Sequence, residues 1–211
     1  CEETLTLSFP AGEEHKTRKS KAMLEDALLE AGIDRESCVV AVGGGIALDV
    51  AGFVASTLLR GLPHINIATT LLAQVDAAIG GKTGINTPAG KNLVGTFHAP
   101  RAVLLHSDAL ASLPARELRC GWAEAVKHGW VADAALFADL ERWATLTERR
   151  GEAAAPLLPP RDLLARCARV KARVVREDTL ESGYRRVLNA GHTVAHALEL
   201  ASAHCFVHGE A

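Results

Sequence analysis

The run Cys38-Val39-Val40-Ala41-Val42, followed at once by Gly43-Gly44-Gly45, constrains the fold more than any other stretch. A short, nearly all-apolar segment suits a parallel strand covered on both faces. Ile46 to Leu59 then reads as a helix. Strand, glycine turn, helix is the geometry in which backbone N–H groups and a helix N-terminus meet a phosphate. A tight turn alone accounts for one glycine easily and for three in a row poorly. The triplet is not a complete GXGXXG, because Leu48 occupies the last position.

Around this unit the chain reads in order. Residues 3–9 alternate polar and apolar, which predicts a half-buried strand. Met23, Ala27, Leu28 and Ala31 fall at helical spacing between Lys16 and Ala31, and Gly32 is a stop. His64 to Ala68 predicts another strand, and Thr69-Thr70-Leu71-Leu72 the start of a helix. From Asp76 to Gly95 the chain reads as a glycine-rich loop carrying Asp76, Lys82, Asn86, Lys91 and Asn92, a composition suited to an anion-binding surface. Arg101 to Leu105 predicts one more strand. After Pro114, helices are predicted at 116–130, 133–143, 161–176 and 184–201, with Gly151 to Pro160 as a loop between two of them. An α/β half, about 1–113, thus precedes an all-helical half, 114–211, and a cleft between such halves is a favoured place for a ligand.

Composition narrows the class. With 211 residues, 48% hydrophobic and 23% charged, the chain has the make-up of an ordinary soluble globular protein. A formal net charge of -2 gives no reason to propose a nucleic-acid or anionic-membrane partner. Cys1, Cys38, Cys120, Cys167 and Cys205 are scattered and lack any CXXC, so they read as reduced, buried thiols of a cytoplasmic protein. No apolar run approaches the ~20 residues of a membrane span. The chain starts at Cys1 rather than methionine and stops just after Gly209, so both ends are expected to be cut.

The helical half carries a second cluster. His192 and His196 are four apart, on one helical face, with Glu199 one turn on and His208 after a short segment. Two imidazoles and an acid from elsewhere commonly hold a catalytic divalent metal with one position open. HTVAH is not HEXXH, since Thr193 stands where the metalloprotease base would be. An isolated histidine is more often a core or surface residue.

The motifs taken together resemble those of the 3-dehydroquinate synthase family. They run through Gly43-Gly44-Gly45-X3-Asp49-X2-Gly52-Phe53, Leu59-Arg60-Gly61 and Thr69 to Asp76, then Gly80-Gly81-Lys82-Thr83-Gly84-X-Asn86 and Gly90-Lys91-Asn92-X2-Gly95. Leu113-Pro114-X-Arg116-Glu117, Ala123-Glu124-X2-Lys127, Asn189-X-Gly191-His192-Thr193-X2-His196-Ala197 and His208-Gly209-Glu210 follow in order, with Gly12-Glu13-X2-Lys16 a fainter echo.

The resemblance implies an α/β N-terminal dinucleotide-binding, Rossmann-like domain followed by an all-helical metal- and substrate-binding domain. It implies a sugar-phosphate cyclase that uses NAD and a divalent metal, zinc first and cobalt second, to convert the phosphorylated keto acid DAHP into 3-dehydroquinate and phosphate. By position, Glu124, His192 and His208 correspond to the metal ligands. Gly44, Gly45, Asp49, Thr69, Thr70 and Lys82 correspond to cofactor contacts. Asp76, Lys91, Asn92, Lys171 and Arg185 correspond to substrate contacts, and Lys82, Lys127, Asn189 and His196 to catalytic positions. Arg60 corresponds to an arginine that reaches a neighbouring subunit's site, which implies a homodimer.

Leu48, Ala68, the Ala77-Ala78 pair, His106 and Ala195 depart from the family pattern. None removes a charged group named above. The family also has a first strand–helix unit and a C-terminal part not found here. Three alternatives stay open: a sister cyclase acting on another sugar phosphate, a metal-dependent polyol dehydrogenase, and a non-catalytic chain.

Overall fold

The computed structural model describes residues 3–148, 158–202, 206, 209 and 210, without the side chains of 147, 148, 196 and 200. The chain divides into two compact units, Cys1–Ala68 with Gly81–Leu104, and Thr69–Gly80 with Leu105–Ala211.

In the first unit, α1 (Arg18–Glu30) starts where the Thr17 side chain accepts the Ser20 amide, an N-cap. The predicted core motif is present. β1 (Val39–Gly43) runs into Gly44 and α2 (Gly45–Thr57), and β1 pairs in parallel with β2 (His64–Ala68), Val39 facing His64 and Gly43 facing Ala68. β5 (Ala102–Leu105) completes a three-stranded sheet of order β1-β2-β5. Val50, Phe53, Val54 and Leu58 pack with Leu24, Leu62 and Ile85. Gly43 has φ 155, and a Cβ there would stand 2.7 Å from the Ala47 Cβ, so the turn requires glycine at this point. Leu48 is buried at 2% exposure.

Two expectations for this unit are corrected. The glycine-rich stretch is not a loop: β3 (Lys82–Thr87) and β4 (Gly90–Phe97) form an antiparallel hairpin. Its glycines permit close strand approach, for Gly84 faces Gly95 and a Cβ on Gly95 would lie 1.9 Å from the Thr83 carbonyl oxygen. Residues 3–9 form no strand, since most of their alternation buries nothing: Leu5 and Leu7 are 50% and 37% exposed, and Phe9 alone of the three packs against the core.

The second unit begins on a π-helical turn, Ala73–Ala77. The Ala78 amide reaches the Ala73 carbonyl five residues back, and the buried Gln74 side chain donates to the His106 carbonyl at 2.9 Å. Then come α3 (Ala115–Ala132), α4 (Ala134–Glu148), α5 (Arg161–Glu177) and α6 (His192–Ala201). Leu71 and Val75 pack into a core with Leu118, Ala125, Leu136, Leu140, Leu163 and Val170.

The helix predicted over 184–201 is broken: a 3-10 turn, Tyr184–Asn189, is separated from α6 by extended Ala190 and by Gly191 at φ 84. Of the predicted loop Gly151 to Pro160, residues 151–157 lie outside the described residues. Cys120 and Cys167 are buried thiols, Cys38 is exposed against expectation, and Cys1 and Cys205 lie outside the described residues. Among the described residues no helix is long and apolar enough to cross a membrane.

Candidate functional site

The second unit gathers a charged cluster around Asp76, which sits on the π-turn. Such turns insert one residue into a helix and recur at functional sites. Lys171 of α5 donates to Asp76 Oδ1 at 2.6 Å. His128 of α3 places Nε2 3.4 Å from the same oxygen. One turn earlier on α3, Glu124 pairs with Lys127, an i,i+3 contact. The sequence reading named Asp76, Glu124, Lys127 and Lys171, and the fold brings all four into one unit. It missed His128, whose signal was its place four residues after Glu124, on the same helical face.

Burial shapes the electrostatics. Glu124 is 6% exposed, Lys171 8% and His128 0%. Burial pushes the Asp76 carboxyl up, but Lys171, with His128 and Lys127, holds it well below the usual carboxylate range. Neither His128 nitrogen makes a hydrogen bond of ordinary length. A buried polar atom in that state costs about 1–3 kcal/mol, and the nearest charged acceptor is Asp76 Oδ1, 3.4 Å from Nε2.

Donor atoms of Asp76, Glu124 and His128 lie within 4.8 Å of one another, two oxygens and a nitrogen of the kind a zinc-like ion takes. Two ammoniums already balance the two carboxylates, so an ion here would compete with Lys127 for Glu124.

The remaining predicted residues of this unit lie on other contacts. Arg185 is 2% exposed and donates to the carbonyls of Thr179 at 2.7 Å and Gly80 at 3.2 Å. Its backbone amide is held by Asp178, which also accepts the Ser182 and Gly183 amides, and these bonds, Gly183's first, bring the Asp178 carboxyl down to about 2. Asn189 is exposed and donates to Glu181 at 2.6 Å. The Thr70 hydroxyl accepts the Ala73 amide at 3.2 Å, while Thr69 is half-buried just before it.

His192 opens α6, half-buried. The His196 side chain and all of His208 lie outside the described residues. The backbone directly after His208 is anchored on α3, however. Gly209 N stands 3.1 Å from Cys120 Sγ, one turn before Glu124, and Arg116 grips the Glu210 carboxylate at 2.8 and 2.6 Å. Burial pushes the Cys120 thiol up, which leaves it protonated and unreactive at neutral pH.

In the first unit the glycine turn presents the bare N-terminus of α2, capped by Gly44 with no side chain over it, a shape that fits a pyrophosphate. Asp49 and Asn92 are joined by Lys16, which is 4% exposed and donates to them at 2.6 and 2.5 Å. Asn92, at φ 56, is further fixed by Asn86, which in turn donates to Glu13 at 2.7 Å. Lys16 and Glu13 carried only the faint N-terminal echo in sequence. Lys82 and Lys91 are exposed on the hairpin, and Arg60 is exposed at φ 69 on the turn after α2.

Solved structures share this fold. A 2-epi-5-epi-valiolone synthase from Streptomyces hygroscopicus subsp. jinggangensis, solved with NAD+ and Zn2+ bound, matches with a TM-score of 0.83 and 35% identity over 95% of this chain and 55% of that one. A 2-deoxy-scyllo-inosose synthase complexed with carbaglucose-6-phosphate, NAD+ and Co2+ matches at 0.81 and 31% identity, over 96% and 55%. The fold is that of the sugar-phosphate cyclases.

Residues 6–120 match the family described as 3-dehydroquinate synthase N-terminal, and residues 121–211 its C-terminal counterpart. The chain belongs to the 3-dehydroquinate synthase family. The 3-dehydroquinate synthase of Geobacter metallireducens is 49% identical over 98% of this chain and 56% of its own length, so the chain spans about half of the curated relatives it matches.

Proposed function

We propose that this protein converts 3-deoxy-D-arabino-heptulosonate 7-phosphate to 3-dehydroquinate with release of phosphate, as a cytoplasmic homodimer dependent on NAD and a divalent metal. The observation that carries this reading is the cluster of buried Glu124 and Lys171 with half-buried Asp76 and Lys127 in a chain of this family. A substrate with a carboxylate and a phosphate needs several fixed cations, and Lys171 and Lys127 supply two of them from one unit.

When bound, NAD supplies a reversible hydride acceptor, and a zinc or cobalt ion a Lewis acid for the hydroxyl that loses hydride. Glu124, with His192 and His208, is the donor set for that ion; a hard carboxylate and two imidazoles suit it. The anchoring of Gly209 and Glu210 on α3 supports this set, because it ties the chain next to His208 one turn from Glu124. Gly44, Gly45, Asp49, Thr69 and Thr70 take the cofactor, with Lys82 at its reactive end. Lys171 and Arg185 take the substrate carboxylate, Lys82, Asn92, Asn189 and His196 orient its phosphate, Asp76 and Lys91 are further substrate contacts, and Arg60 serves the partner's site. The domain division read from sequence, cofactor half before metal and substrate half, belongs to the same proposal.

A sister cyclase is the second reading, favoured by the valiolone synthase match. The presence of Lys171 and Arg185 weighs toward a carboxylate-bearing substrate. The test is phosphate release from this substrate, with NAD and zinc, against a sugar phosphate that lacks the carboxylate. Release that requires NAD, metal and Glu124, and is lost in Glu124→Ala, supports the synthase. Release from the carboxylate-free sugar phosphate alone replaces it with the sister reading.

A further inference from the structure

We propose that His128 is a positioning residue: from behind the Asp76 carboxylate it fixes, together with Lys171, the direction in which Asp76 meets a hydroxyl of the phosphorylated substrate. This rests on the reading above that Asp76 contacts substrate.

The geometry separates the two roles. The Asp76 side chain keeps 25% of its surface exposed, whereas His128 keeps none, so the ring has no surface with which to meet a ligand and Asp76 has some. Whatever His128 does, it does through Asp76, its neighbour at 3.4 Å.

Asp76 also has a particular need for a second anchor. The terminal torsion of an aspartate is broad, so one contact leaves the carboxylate free to swing. Lys171 Nζ binds Oδ1 at 2.6 Å but does so from a flexible four-carbon stem. The imidazole is planar and comes from a different helix, α3, whose face is locked in the core through Ala125. Two contacts on one oxygen from two helices set both the position and the rotation of the carboxylate. Nε2 is the ring nitrogen that faces Asp76 Oδ1, at 3.4 Å.

A packing role alone does not account for histidine here. Phenylalanine would fill the same space without burying two ring nitrogens, neither of which has an ordinary hydrogen bond.

The test is a double-mutant cycle of His128→Phe and Asp76→Asn, with His128→Gln as the conservative variant. It is run on the longest reading frame that contains these residues. Steady-state kinetics with the substrate proposed above and melting temperatures are both recorded.

Positioning predicts that His128→Phe lowers kcat/KM by about 10-fold, chiefly through KM, with partial rescue by glutamine. In the Asp76→Asn background the same change has less than about a 2-fold effect, since no carboxylate is left to orient. Equal fold-losses in both backgrounds overturn the proposal. If the parent shows no turnover, the synthase reading fails separately and the melting cycle still decides: shifts that merely add mean that His128 does not act through Asp76.

Discussion

At the scale of single residues, the Asp76–Lys171 pair is the contact whose loss is most legible. Lys171→Met leaves the carboxylate three-quarters buried without its ammonium partner. We expect a loss of about 2 kcal/mol in urea unfolding at pH 7, less than the ~3–5 kcal/mol of a fully buried pair because Asp76 still meets water. An unchanged midpoint would show that solvent already screens the pair. Sequence disclosed much of this site, since Asp76, Glu124, Lys127 and Lys171 all lie in ordered motifs. It did not disclose His128, and it marked Lys16 only by the faint Gly12-Glu13-X2-Lys16 echo, because a histidine on a helix's inner face and a lysine before a cap look like packing and solvation. Only the fold shows that each is buried against a carboxylate.

At the scale of elements, the β3–β4 hairpin depends on the absence of two side chains. Gly95→Ala puts a Cβ where the Thr83 carbonyl oxygen stands, at 1.9 Å. The strands must part there, at roughly 1–3 kcal/mol or more, and circular dichroism melts should show the drop. Alanine at the exposed Gly32, which has φ 73 and nothing within 4 Å of the added Cβ, is the comparison that carries backbone strain without a clash. The same glycines explain why sequence misread this hairpin, since a residue that usually marks loops was here serving strand contact. The broken helix before α6 has the opposite cause. Its apolar spacing continues through 184–201, and non-helical Ala190 with left-handed Gly191 divides it.

At the scale of the whole molecule, acid should act in two windows. His64, 1% exposed and stacked on His98 at 5.0 Å, is pushed down to about 4 by burial and by its neighbour's charge. The unfolded chain therefore takes up this proton first, near 6.5, and stability falls as pH drops from there toward 4. Asp76 and Asp178 lie below their ordinary 3.8, so the stabilisation they give is present above that pH and drains away beneath it. His64→Leu should abolish the upper window and spare the lower, as read by melting temperature between pH 7 and pH 3. A variant that still weakens between 6.5 and 4 would place the cause elsewhere.

The π-turn at Ala73–Ala77 has a consequence for heredity. It holds one residue more than an α-helix needs, so an in-frame loss of a single codon there restores regular winding and swings Asp76 about 100° around the axis. The apolar residues that flank it would still make a helix. A lineage can thus keep a stable fold and discard this carboxylate in one three-nucleotide event, and single-residue deletions in this turn are the mark to seek in descendants that have given up the chemistry.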